Sequence, residues 1–291
     1  MRQVKIMTDS VAGIPREMLE EYDITVVPAA NISVNGRTYV EGVDLSVSGA
    51  YELIVKDPDR FVTSPLNPGQ LMEKYLELAK VYREILFITI SSALTALNRT
   101  AQIAADTLQE EHKDIRVTVV DSKTVAGAQG LVVLAAARAA NKGMGTDAIV
   151  KIVQQVVQST GYLVYLDTLR YVYRTGRMSK LGSRMASLFN VRPISRISAS
   201  GSLDFIARVK SREQGMSKLL DLIEQDKGKL PMHFWVMHAD APDFAAAFCK
   251  QLKQRFKVIS LTVSEYSAVM GYGTGRGALS VGYHPELHLD E

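Results

Sequence analysis

Four short segments gather hydroxyl and carboxyl side chains where apolar runs stop: Thr8-Asp9-Ser10, Thr63-Ser64, Ser91-Ser92 with Thr95, and Asp121-Ser122. Each follows a run that reads as a strand. In an open parallel sheet, ligands bind beyond the carboxyl ends of the strands. Hydroxyl donors combined with the free N–H groups of a following helix suit a pair of anionic oxygens. Thr95 carries most weight, because it stands where the helix after the clearest strand should begin. Each segment taken alone also reads as an ordinary helix cap. Four at one sheet edge favour a site, provided that they converge.

Other chemistries find less support. A serine nucleophile needs a base oriented by a third group. None of the five histidines is tied by sequence to a nucleophile elbow, although His238 and Asp240 could supply a base and its orienter. His284 and His288 resemble a metal pair, but Pro285 argues against the helix that such spacing needs. We therefore expect no catalytic residue and no metal. The glycine-dense stretch Gly271 to Gly277 precedes a strand-like run from Ala278 to Tyr283, whereas a dinucleotide loop follows a strand and opens a helix. Such glycines more readily let the backbone approach something closely. The densest basic stretch begins at Arg170, with Arg174 and Arg177 interleaved with Tyr171 and Tyr173. It reads as a solvated helix and turn, as a nucleic-acid surface, or as a docking surface for an acidic partner.

These residues need a scaffold. The 291 residues are 47% hydrophobic and 22% charged, ordinary for a globular protein and enough for two domains. The net charge of +3 is small and its bearers are interspersed, which does not predict nucleic acid as the partner. A single cysteine, Cys249, rules out an internal disulfide and fits a reducing cytoplasm. Its neighbours Phe244 and Phe248 place it on a core helix face. No window approaches the ~18 apolar residues of a membrane span, and Met1 to Ser10 hold no apolar run of the length expected of a signal peptide.

Ile85 to Ile90 is almost continuously apolar, as for a strand buried on both faces. Val4 to Met7 and Val117 to Val120 read likewise, and helix-like segments alternate with them. Ile32 to Tyr39 around Asn35-Gly36 reads as a hairpin. Ser48 is placed to cap a helix to Lys56, and a helix follows from Pro68 to Tyr82. After an amphipathic helix from Asp147 to Ser159 the pattern changes, with a strand at Tyr162 to Leu166 and a hairpin around Gly201. The expectation is a two-domain α/β protein. Residues 1–159 form a mostly parallel sheet covered by helices, and 160–291 form a second α/β domain.

Taken together, Thr8-Asp9-Ser10, Thr63-Ser64, Ile90 to Thr95, Asp121 to Thr124, Tyr173 to Ser179, Asn190 to Pro193 and Gly271 to Gly277 resemble, in order, the motifs of the DegV family of bacterial fatty-acid-binding proteins. The resemblance implies a lipid tunnel enclosed between the two domains, a long-chain fatty acid as ligand, no cofactor, and a fatty-acid kinase catalytic subunit as partner. It implies that Thr63 and Thr95 hold the carboxylate, with Ser92 a nearby candidate. Apart from the resemblance, the basic segment keeps its own reading as an interaction module that docks a partner through Arg170, Arg174 and Arg177. Three positions depart from the family pattern. Ala96-Leu97 stand for Gly-Thr, Lys210 stands for an arginine, and Gly273 stands for a histidine near the carboxylate. Thr274 or Tyr272 could compensate for the last. The departures leave a second reading open, a divergent member with another acidic ligand or its own acyl or phosphoryl transfer activity.

Overall fold

The computed structural model describes residues 4–41, 44–56, 60–177 and 191–287. Met178, Ser179 and Asn190 of the motifs, and His288, lie outside the described residues. The first half runs Val4–Asp9 (β1), Arg16–Tyr22 (α1), Thr25–Val27 (β2), Asn31–Val34 (β3), Arg37–Tyr39 (β4), Val47–Lys56 (α2), Phe61–Ser64 (β5), Pro68–Ala79 (α3), Glu84–Thr89 (β6), Leu97–Glu111 (α4), Arg116–Asp121 (β7), Ala126–Asn141 (α5) and Thr146–Ser159 (α6). The second half runs Gly161–Tyr165 (β8), Arg170–Arg174 (α7), Arg192–Ile197 (β9), Leu203–Val209 (β10), Arg212–Lys227 (α8), Met232–His238 (β11), Pro242–Arg255 (α9), Val258–Glu265 (β12), Ala268–Thr274 (α10) and Leu279–Pro285 (β13).

The chain is α/β, as its alternation predicts. A parallel sheet of order β2-β1-β6-β7 forms the first half, and a mixed sheet of order β10-β9-β8-β13-β11-β12 forms the second. Helix α5 lies between them. It packs on β1 on one side and on β11 and β13 on the other. That position explains why its sequence is apolar on almost every face. One hydrophobic cluster therefore runs through both halves, from Ile6 and Phe87 through Val132 to Trp235. Cys249 sits on α9 in a second cluster with Phe244 and Phe248.

Two local expectations are corrected. Thr63-Ser64 does not end a parallel strand. It belongs to β5, which pairs antiparallel with β3 in a separate three-stranded sheet. The burial of Phe61 to Ser64 swings between inward and outward positions, the period of a strand with one wet face. Ile85 to Thr89 are all buried, as a central parallel strand requires. Helix α2 is capped two residues earlier than expected, by Ser46 rather than Ser48. The Gly49 N–H donates to the Ser46 hydroxyl at 3.2 Å, while the Ser48 hydroxyl lies 3.3 Å from that of Ser46. Helix α3 begins where Pro68 predicts, behind a capping box in which Asn67 and Gln70 bond reciprocally, but it ends at Ala79.

The glycine-dense stretch is not a loop throughout, since its first half is the end of α10. Its second half makes the close approach expected. Gly277 has φ +84°, and a Cβ there would lie 2.1 Å from Asp167 Oδ2.

Candidate functional site

An apolar cavity lies at the junction of the two halves, with about 950 Å³ of open space, part of it continuous with solvent. Its apolar wall comes from Val11, Ile90 and Val125 after the parallel strands, from Tyr162 and Val164 along one face of β8 and Leu166 just beyond its end, and from Ile197 and Leu203 of the β9–β10 hairpin. Its polar side chains come from other elements. Thr63 and Ser64 lie on β5, Thr95 precedes α4, Thr175 and Arg177 follow α7, and Thr274 ends α10. Contacts knit these elements together. Tyr272 stacks on Phe61 with centroids 4.9 Å apart. Arg174 lies 4.6 Å over the Tyr272 ring. Arg177 donates from Nε to the Leu94 carbonyl at 3.4 Å, beside Thr95.

The four threonines on the cavity differ in what their hydroxyl protons do. Thr274 donates to the Met270 carbonyl at 2.9 Å, and Thr175 donates to the Val172 carbonyl at 2.9 Å. Both protons are spent on the main chain. Thr95 Oγ1 only accepts, from the Leu97 N–H at a long 3.4 Å. Thr63 Oγ1 has no partner among the described residues. Thr63 and Thr95 thus keep a donor for a bound group, whereas Thr274 offers lone pairs alone. Ser92 does not line the cavity. It is exposed, and its hydroxyl donates to Asp121 Oδ2 at 2.6 Å.

The remaining hydroxyl turns support the site from behind. Thr8 donates to the Ile88 carbonyl at 2.8 Å. Asp9 is fully buried and accepts from Ile90 N–H at 2.7 Å, Val11 N–H at 3.1 Å and Gln129 Nε2 at 2.9 Å. It fixes the two cavity residues Val11 and Ile90. Burial outweighs these bonds and pushes its carboxyl up to about 6. Ser10 donates to Glu41, which in turn accepts from the Val269 N–H at 2.9 Å and so ties the first half to α10. Ser91 is buried and donates to the Gly201 carbonyl at 2.9 Å, fastening the tip of the β9–β10 hairpin. Asp121 accepts from the Lys123 N–H at 2.8 Å and shapes its own turn.

Gly273 faces the cavity, and a Cβ added there would meet nothing within 4 Å. Lys210 is not on the cavity, and its carbonyl accepts from Arg192 at 2.8 Å. In the basic segment, Arg170 is exposed, Arg174 is half-buried over Tyr272, and Arg177 lines the cavity. His238 and Asp240, the base and orienter weighed and set aside in the sequence, bond to other groups. His238 Nδ1 accepts from the Ala241 N–H at 3.3 Å, and Asp240 pairs with Arg276. His284 stacks on His233 with centroids 4.9 Å apart. Among the described residues no group of three or more His, Cys, Asp or Glu could hold a metal ion, and no helix is long and apolar enough to cross a membrane.

Sequence reasoning missed Thr175, Ile197 and Leu203 as wall residues. Only Thr175 left a signal, through its place in the Tyr173 to Ser179 motif. The hairpin residues are ordinary strand positions until the fold brings them over the cavity.

The family model described as "Uncharacterised protein, DegV family" matches residues 3–286. This chain belongs to the DegV family. Protein DegV of Bacillus subtilis is 29% identical over 280 residues, covering 96% of this chain and 98% of that protein. A DegV domain-containing protein of Streptomyces coelicolor is 30% identical over 282 residues, with 96% and 98% covered. Among solved structures, DegV of Bacillus subtilis, described as a fatty acid binding protein, superposes with a TM-score of 0.87 at 27% identity over 98% of this chain and 99% of that one. A DegV family protein from Thermus thermophilus, solved in a study of its fatty acid binding, gives 0.88 at 21% identity over 98% and 100%. That likeness fixes the DegV fold for both halves of this chain.

Proposed function

We propose that this DegV protein binds a long-chain fatty acid in the junction cavity, with its carboxylate held by Thr63 and Thr95. The observation that carries the proposal is the allocation of hydroxyl protons. Of the four threonines on the cavity, only these two have a proton not given to a main-chain carbonyl. A carboxylate accepts only, so it needs donors. Arg177 adds positive charge on the same cavity. An acyl chain gains roughly 0.8 kcal/mol for each CH₂ that the apolar wall removes from water. Affinity then comes from the chain, and orientation from the threonines. The fatty acid binding stated for the Bacillus subtilis structure supports the ligand class.

On this reading the protein is a carrier rather than an enzyme. It presents the carboxylate to a fatty-acid kinase catalytic subunit in the cytoplasm, and the exposed Arg170 is available to dock that partner. The two halves act as domains that meet between Ser159 and Gly161, where α6 ends and β8 begins. Mass spectrometry of lipid released from protein purified without denaturant tests the ligand. A stoichiometric fatty acid is expected. Lipid-free protein that also fails to bind a fluorescent fatty acid overturns the proposal.

The open space at Gly273 favours one variation, a distinct acidic headgroup larger than a carboxylate. Tighter binding of an acyl phosphonate than of the matching fatty acid supports that variation, and weaker binding removes it.

A further inference from the structure

The acyl cavity has a neighbour. A second cleft of mixed polar and apolar lining, with about 2000 Å³ of space that is partly open solvent, borders the β9–β10 hairpin, and Tyr162 and Ile197 line both spaces. Lys123, Arg196 and Asp226 line the cleft together with Val153, Val157 and Leu163, so charged and apolar side chains share its wall. Tyr162 and Val164 are alternate residues of one face of β8, with Leu166 just beyond its end. Four residues of strand span roughly 13 Å. Leu166 lies at the end next to α7, from which Thr175 and Arg177 follow, so Tyr162 marks the end away from those polar groups.

The two shared residues face one another, one position beyond the Leu163–Arg196 pair of the β8–β9 ladder. They are not equally firm. Tyr162 is 4% exposed on an inner strand, its hydroxyl 3.4 Å from that of Tyr266. Ile197 is partly buried at the last position of β9 and pairs with Leu203 of β10. β10 is the edge of its sheet, with a register break between Phe205 and Ala207. The hairpin keeps its place through the buried Ser91 to Gly201 hydrogen bond.

We infer that Tyr162 and Ile197 form the end wall that limits acyl-chain length, and that Ile197 is the thin part of it, separating the chain terminus from the neighbouring cleft. This rests on the acyl-binding reading above. A smaller residue at 197 joins the two spaces and lets terminal methylenes pass the wall, and a larger one shortens the cavity.

The test uses delipidated full-length protein with Ile197→Ala, Ile197→Val and Ile197→Phe. Saturated fatty acids of graded length compete against a fluorescent fatty acid. Ile197→Ala should move the preferred length upward, each methylene that gains apolar cover tightening Kd by up to about fourfold. Ile197→Val should shift it less, and Ile197→Phe should move it down. Folded variants that all keep the wild-type order of lengths overturn the inference. If wild-type protein binds no fatty acid of any length, the acyl-binding reading falls separately. The wall is then judged from a crystal structure of Ile197→Ala, where a joined cavity and cleft support it and an intact partition refutes it.

Discussion

Replacing Thr63 and Thr95 by valine removes two hydroxyls while nearly keeping their shape, and the structure sets what this should cost. Thr63 lies on an edge strand where valine is as good a β-former. Thr95 accepts only one long bond, so the start of α4 loses little. Stability should therefore change by less than about 1 kcal/mol. Binding should change more. A hydrogen bond to a charged group contributes about 1.5–3 kcal/mol, which is roughly a ten- to hundred-fold change in Kd for each hydroxyl. The assay is competition by palmitate and by its methyl ester against a fluorescent fatty acid. The double variant should bind the acid at least about a hundred-fold more weakly but the ester only a few-fold more weakly, since an ester carries no charge. Thr274→Val is the control. Its hydroxyl proton is already given to Met270, so the acid should lose no more than about threefold, well under one full hydrogen bond. An unchanged preference for acid over ester in the double variant refutes the reasoning. So does a Thr274→Val effect as large as that at Thr63.

Three further outcomes are expected. Gly201 has φ +82°, and a Cβ there would come within 2.1 Å of Ser91 Oγ. Gly201→Ala should therefore cost about 2–4 kcal/mol in urea unfolding, combining left-handed backbone strain with the disturbed buried hydrogen bond, and a loss under 1 kcal/mol contradicts this. Asp9 has a folded value of about 6 against 3.8 for the free group. The native state then binds more protons between those values, so the burial penalty is full above about pH 6 and fades as pH falls through it toward 4, a span of roughly 3 kcal/mol. The stability of Asp9→Asn relative to wild type should rise with pH over that window, and a flat difference refutes the assignment. Gly273→His places an imidazole in open space. The variant should fold normally and bind fatty acid more tightly as pH falls below about 6.5, where the ring gains charge. A pH profile identical to wild type counts against a carboxylate near that position.

The sequence by itself determined the alternation of strands and helices, the change of character near residue 160, and the hydroxyl turns at Thr63 and Thr95. These are local properties. Period, propensity and capping chemistry act over a few residues, so Ile85 to Ile90 reads as a buried strand with no knowledge of its neighbours. The ordered motifs added the DegV fold, because they record many positions at once. Tertiary structure decided what each hydroxyl does. Thr63, Thr95, Thr175 and Thr274 are chemically identical, and only the carbonyls within reach of each one separate a free donor from a spent one. It decided likewise that Ser91 fastens a hairpin 110 residues away, that Ser92 turns outward to Asp121, and that Arg177 joins the cavity wall. Such partners are set by the approach of segments distant in sequence, which no local pattern encodes.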